Sequence, residues 1–368
     1  MGFINKLFGK GVTNKESIAI DEKYKEFWNW FDLHKDKFKT TLVNNERVVE
    51  DFIEVAGPKL KELNESFNIL VGMSGGNLAE LIVTVDGSIK DIVFAEDFID
   101  KAPTIEGWNF LANKPAHEGI ALTIYNHNFS SDTISFLPIN NPEFPDEIAL
   151  RFIVEGYTKE EENNLGNGLY IFLDNYIGEL KTVTLIDYLE VRGEESKTGE
   201  EIPLNKLAEY LAYRESEFVE KYNAVKHNED NDKHMVLQAN QDDIPYFISI
   251  NKTLLDWEQK VSYPWIVKVD LDYEGNDNLL PGGEQVELLN EIEDMLIDNN
   301  IEDNSLLYVV RLTGNNQRSI FCVTKDFRKA SKQVNKVLNL YKDKIKTDYT
   351  IYKDKYWFSL EKFKPAEE

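Results

Sequence analysis

The chain has 368 residues, 42% hydrophobic, 12% aromatic and 29% charged, a balance that excludes a disordered or collagen-like polymer and leaves room for two domains with real cores. Lys and Arg total 41 against 66 Asp and Glu, a formal charge of -25, which repels nucleic acid phosphates and anionic membrane and argues against DNA as a partner. No run reaches the roughly 18 apolar residues of a membrane span, and Met1 to Gly11 is too short in apolar sequence for a secretory signal, so the chain reads as cytoplasmic.

Residues 1–14 read as an amphipathic tail, with Phe3, Ile4, Leu7 and Phe8 at helical spacing. An N-terminal α+β domain is expected over 15–226. Tyr24, Phe27, Trp28, Trp30, Phe31 and Phe38 lie on one helix over 21–43, and Val49, Phe52, Ile53, Leu60 and Leu63 mark a second over 48–63. Strands over 67–73 and 79–85 are joined by Ser74 to Asn77, whose glycines suit a hairpin turn. Gly72 and Gly76 stand around Ser74 as in a nucleophile elbow, but a strand rather than a helix follows and no Asp and His partners are evident. The same turn lacks the Gly-Lys-Ser/Thr ending of a phosphate loop. Strands are then predicted over 108–111, 120–126, 133–138 and 148–155, a helix over 160–178, a strand over 183–191 and a helix over 203–225. The acidic polar run 227–243 reads as a linker. Its His227 and His234 flank Glu229, Asp230 and Asp232, with no apolar residue nearby to fix a metal geometry.

From 244 to 365 the pattern gives a strand (245–250), a helix (252–260), then strand (265–273), helix (283–298), strands (306–313 and 318–324), helix (329–341) and strand (349–360). The last six make βαββαβ, so the fold class is α+β with two domains, the C-terminal one a ferredoxin-like sandwich carrying an extra N-terminal strand and helix. Asp270, Asp272, Glu274 and Gly275 begin like a calcium loop, but its twelfth position is Pro281 and 265–273 alternates as a strand. The single cysteine, Cys322, lies between Phe321 and Val323 and reads as a packed small hydrophobe. With one cysteine and five scattered histidines, of which His117 and His127 share no ligand spacing, no metal or other cofactor is implied.

Arg311 and Arg318 are the most informative pair. A hairpin turning through Gly314 to Gln317, or more tightly through Asn315 and Asn316, pairs Thr313 with Arg318 and sets Arg311 opposite Ile320. Both arginines then share one face. The other parity, Tyr308, Val310, Leu312, Phe321 and Val323, reads as the helix-covered core, which leaves Arg311, Thr313 and Arg318 on an open polar face with Lys268, Asp270 and Asp272, and Asp272 near Arg318. Such a face is either a cross-strand salt bridge or a docking surface. A sheet that stacks RNA bases needs aromatics there, and Lys and Asp stand in their place, which argues against RNA.

Tyr263-Pro264-Trp265, Leu279-Leu280-Pro281 with Leu289 and Glu293-Asp294, Arg311-Leu312-Thr313 and Arg318 to Phe321 carry a resemblance. Residues 244–365 resemble the bacterial family catalogued as domain of unknown function 695, which has no established activity and is itself distantly similar to the ferredoxin-like regulator of ribonuclease E, an acidic protein inhibitor. Gln317 and Cys322 depart from the family pattern. Charge is also split: Arg311 to Lys364 carries 14 basic and 5 acidic residues, while Met1 to Val310 carries 27 and 59. The favoured reading is a non-enzymatic protein-binding or regulatory protein with a basic protein partner. The alternative is an enzyme whose site lies between the two domains, built from Glu293 or Asp277 with Arg311 and Arg318, and an immunity-like role is a third reading drawn from acidity alone.

Overall fold

The computed structural model describes residues 11–75, 77–196, 199–298 and 306–365. The expected tail therefore lies outside the described residues up to Lys10. The chain is α+β and forms two compact units, one from the described part of Met1–Ile120 with Tyr170–Val183, the other from the described parts of Ala121–Leu169 and Thr184–Glu368. No helix among the described residues is long and apolar enough to cross a membrane.

In the first unit α1 (Gly11–Asn44) and α2 (Glu54–Leu63) precede a hairpin of β1 (Asn68–Ser74) and β2 (Leu78–Thr84), and α3 (Ile89–Asp100) returns the chain to β3 (Trp108–Ala112), parallel to β2. The sequence reading left α3 unassigned, although Ile89, Ile92, Val93 and Phe98 make its buried stripe. The aromatic stripe of α1 is core: Trp28 stacks on Phe98 at 4.7 Å, and Phe38 stacks on Phe52 at 4.1 Å. Further along, α4 (Glu162–Leu173), whose residues up to Leu169 belong to the second unit, leads through a π-helical turn into α5 (Glu179–Leu185), whose last two residues do as well. Its first residue, Glu179, is fully buried and accepts from the Thr84 hydroxyl at 2.7 Å and from the Gly87 and Lys114 amides at 3.0 Å each, which satisfies its carboxylate inside the unit.

The second unit opens with a short hairpin, β4 (Leu122–Ile124) and β5 (His127–Phe129). A four-stranded sheet follows in the order β8-β7-β6-β9, from β6 (Ile134–Pro138), β7 (Ala149–Val154), β8 (Tyr188–Arg192) and β9 (Ile202–Pro203), with α6 (Leu207–Tyr222) next in sequence. The largest sheet comes last: β10 (His234–Gln241), β11 (Ile244–Asn251), the single turn α7 (Lys252–Leu255), β12 (Trp265–Asp272), α8 (Gly283–Asp298), β13 (Leu307–Gly314), β14 (Gln317–Thr324), α9 (Phe327–Asn339) and β15 (Lys346–Lys353). Its six antiparallel strands run β10-β11-β13-β14-β12-β15, one more than the four of βαββαβ and the extra N-terminal strand that were expected. The stretch read as a linker supplies β10. Asp242 and Asp243, at φ 51° and 62°, make the tight turn into β11, and Met235 and Leu237 face the core. The last strand stops at Lys353 rather than 360, and Phe358–Phe363 is a 3-10 helix.

Each face of this sheet carries a buried core, which corrects the expectation of one open polar face. On one side the buried residues of α8 and α9, Leu289, Ile292, Leu296, Val334 and Val337, stand over Val267, Val269, Ile320 and Cys322. On the other, Ile266, Val310, Phe321 and Val323 pack with Tyr263, Trp357, Leu360 and Phe363. The C-terminal segment and the 252–263 connection therefore pack on one side of the sheet and helices on the other.

Candidate functional site

The hairpin register is the one the sequence dictates. Asn315 and Asn316 take φ of 52° and 61°, Thr313 pairs with Arg318, and Arg311 stands opposite Ile320. The face is not. Val309 is an extra residue in a β-bulge between Tyr308 and Val310, which turns Tyr308 onto the same side as Arg311, Thr313 and Arg318, and that side lies under α8. Lys268, Asp270 and Asp272 point to the opposite side. The six residues expected to form one polar face are thus divided between two.

Under α8, Glu293 joins the two arginines. Arg311 Nη1 donates to Glu293 Oε1 at 3.1 Å and Oε2 at 3.2 Å, and Arg318 Nη1 donates to Glu293 Oε2 at 3.1 Å and to Asn290 Oδ1 at 2.8 Å. Arg318 Nε donates to the Thr313 hydroxyl at 3.2 Å. Glu293 and Arg318 are buried, 6% and 4% exposed, whereas the Arg311 side chain keeps 31% of its surface in solvent. Burial lowers the Arg318 pKa, opposed by the Glu293 charge. Tyr308 donates to the Ser249 carbonyl at 3.3 Å, and burial pushes its hydroxyl up to about 12. The site thus has two positive charges and one negative in a largely desolvated place. Cys322, 1% exposed, has its thiol pushed up by burial first and by Glu293 second, so it is inert packing.

These groups form the floor of a recess of about 260 Å³ lined by Arg311, Thr313, Arg318 and Ser249, with apolar walls from Val236, Phe247, Leu280, Pro281 and Val286. The Leu280–Pro281 wall is held rigidly. Tyr273 donates its hydroxyl to the Leu279 carbonyl at 3.1 Å, Asn316 N–H bonds the same carbonyl at 3.0 Å, and Gly275 N–H donates to Asn316 Oδ1 at 2.9 Å. Gly275 is required by close approach, since a Cβ there would stand 2.5 Å from Asn316 Oδ1 and 2.7 Å from the Leu279 backbone.

On the opposite side Lys268 Nζ donates to Asp270 at 2.7 Å and the Ser319 hydroxyl to the same carboxylate at 2.5 Å, while Gln317 and Lys346 each donate to Asp272 at 2.9 Å. The Gln317 amide and then Lys346 hold the Asp272 carboxyl below its usual range. Asp272 has Gln317, not Arg318, as its cross-strand neighbour. This strip pairs its own charges, and pairs of this exposure add little to stability.

Sequence reasoning put Glu293 with Arg311 and Arg318 only in the enzyme alternative, beside Asp277, which is exposed on the loop before α8. The signal for Glu293 was present. Leu289, Ile292, Glu293 and Leu296 form one i, i+3, i+4, i+7 stripe, so the carboxylate occupies a core position and must meet a cation there. Val236, Phe247 and Ser249 were missed because β10 reads in sequence as linker and β11 as an extra N-terminal strand with no neighbour assigned.

Residues 233–363 match the family of unknown function DUF695. The recess, both arginines, Glu293 and the whole six-stranded sheet lie inside that match. No curated protein and no solved structure matches the chain, and the likeness to the ribonuclease E regulator finds no support in these comparisons.

Proposed function

We propose that the chain is a non-enzymatic, cytoplasmic binding protein of regulatory type, whose second unit engages a partner protein through the Arg311–Arg318 recess. The β12–α8–β13–β14–α9–β15 segment is then a ferredoxin-like sandwich extended at one edge by the β10–β11 hairpin, a reading supported by the strand order β13-β14-β12-β15 within the sheet.

One observation carries the functional reading: two guanidiniums share a single carboxylate at the base of an open, apolar-walled recess. The surplus positive charge calls for an anionic group from outside, in the planar geometry guanidinium favours. At about 260 Å³ the recess is smaller than the roughly 300–1,000 Å³ of pockets that enclose whole small molecules, so it suits one group of a larger partner. The charge of -25 attracts a partner that is basic overall at long range, and the recess selects at short range. Among the described residues Glu293 has both oxygens engaged by arginines, an arrangement that favours holding charge over moving protons.

The test is affinity capture from native lysate at two salt concentrations, comparing the wild type with Arg311→Gln. A stoichiometric partner that is retained at low salt and lost with the variant is the expected result. Capture of nothing, or of the same proteins by the variant, rejects the proposal.

A further inference from the structure

Resting on the binding reading above, we infer that the occupant of the recess is the free C-terminus of a polypeptide ending in an apolar residue, its terminal carboxylate on Arg311 and its last side chain against Val236, Phe247 and Leu280.

A guanidinium offers five N–H donors. Arg311 uses only Nη1, on Glu293, and its Nε and Nη2 have no partner among the described residues; Arg318 spends Nε and Nη1 on Thr313, Asn290 and Glu293, leaving Nη2. Nε and Nη2 of one guanidinium form the edge that takes a planar carboxylate through two parallel hydrogen bonds. Charge fixes the valence. Arg311 and Arg318 against Glu293 leave one surplus positive charge, which a carboxylate monoanion neutralises and a phosphate monoester, close to a dianion at neutral pH, exceeds.

The surroundings select what accompanies the carboxylate. Val236 and Phe247 line the same recess as Arg311 and are 68% and 41% exposed, although each sits in a strand of the largest sheet. The helix-side face of β10 and β11 extends away from the recess with Gln238 and Asn240 exposed on it, in register with Phe247 and Pro245. A chain leaving the recess meets these side-chain amides, which donate to and accept from peptide groups. An apolar end group, a terminal charge and a peptide-compatible exit together describe a chain terminus.

The experiment uses the full chain and fluorescein-labelled hexapeptides of sequence Gly-Ser-Gly-Ser-Gly-X, with X = Val, Leu, Ile or Phe, each as free acid and as C-terminal amide, followed by polarisation. At least one acid is expected to bind, with its amide about tenfold or more weaker, the worth of a charge-assisted hydrogen bond. Arg311→Gln should abolish the difference between acid and amide, and Phe247→Ser should weaken the acid while keeping the difference, so that one variant remains informative if the other misfolds. No binding by any of the four acids, equal binding of acid and amide, N-acetyl-leucine matching the hexapeptide, or displacement by inorganic phosphate at concentrations where acetate is inert would each overturn the inference. An Arg311-dependent partner in the capture experiment together with acid and amide binding equally removes the terminal-carboxylate assignment and leaves the binding reading standing. Failure of both removes both.

Discussion

Glu293→Leu removes the one anion shared by two guanidiniums. Arg318 is 4% exposed and bonded to Glu293 at 3.1 Å, so the variant leaves a buried charge with only the neutral Asn290 and Thr313 as partners. Breaking a buried pair from one side costs about 3–5 kcal/mol; the two neutral partners argue for the lower end, about 3 kcal/mol. Arg311 adds little, because its side chain is 31% exposed and can hydrate. The loss belongs to the β13–β14 region, so it is read by hydrogen exchange with mass spectrometry on peptides covering Leu307–Thr324, where 3 kcal/mol is roughly 100-fold faster exchange. The double variant Glu293→Leu/Arg318→Met replaces the buried pair with apolar groups of similar length and should recover most of that protection, since buried pairs exchanged for hydrophobic residues are often neutral in stability. If the double variant exchanges as fast as Glu293→Leu alone, the cost lies in packing under α8 and not in an orphaned charge, and the electrostatic account of the recess fails with it.

Three further outcomes follow from the same geometry. Glu293→Gln raises the surplus charge of the recess from one to two, so the folded variant should bind the apolar-ended acid peptide more tightly than the wild type, and equal or weaker binding in a polarisation titration contradicts the charge count. Gly275→Ala forces apart the loop that holds Leu280 and Pro281, at the roughly 1–3 kcal/mol of an overpacked site; faster exchange over 276–282 with the α9 peptides unchanged is the expected pattern. Lys353, whose side chain is 13% exposed and pairs with Asp187 at 2.7 Å, has its pKa lowered to about 8 by desolvation. The unfolded chain therefore holds more protons than the folded one between about pH 8 and 10.5, and this lysine's contribution to stability rises with pH across that window and falls as pH drops through 8. The melting temperature of Lys353→Met relative to wild type, measured from pH 7 to 10.5, should lose that rise; parallel curves would show that Lys353 stays charged in the fold.

What was legible in the sequence was local. The αL-tolerant Asn315 and Asn316 fix a two-residue turn, and from that turn the register of β13 and β14 follows residue by residue, with Thr313 against Arg318. The apolar stripes of α1, α8 and α9 have one reading each. Lost was the strand β10, because a polar exposed face and an Asp-Asp turn look in sequence like an acidic loop; only Met235 and Leu237, two residues apart, betray the alternation of a strand with one buried side.

The assignment of faces failed for a different reason, and that reason bears on function. Alternation tells which residues share a side of a strand but not which side a helix covers. Where one parity is apolar and the other carries arginines, a sheet with one covered face leaves a single answer, and the arginines are placed in solvent. Here the apolar parity of Leu312, Phe321 and Val323 is covered by Trp357, Leu360 and Phe363, a segment that follows the last strand and that no helical pattern announces. The arginines can then lie under α8, provided α8 brings a carboxylate, and Glu293 in the stripe of Leu289, Ile292 and Leu296 is that carboxylate. Two of the residues first assigned to an exposed docking strip thereby share a buried carboxylate, where an arginine–carboxylate hydrogen bond is stronger than it would be on a wet surface. The strip left on the other side, Lys268, Asp270 and Asp272 with Ser319, Gln317 and Lys346, pairs its own charges and keeps little free for a partner.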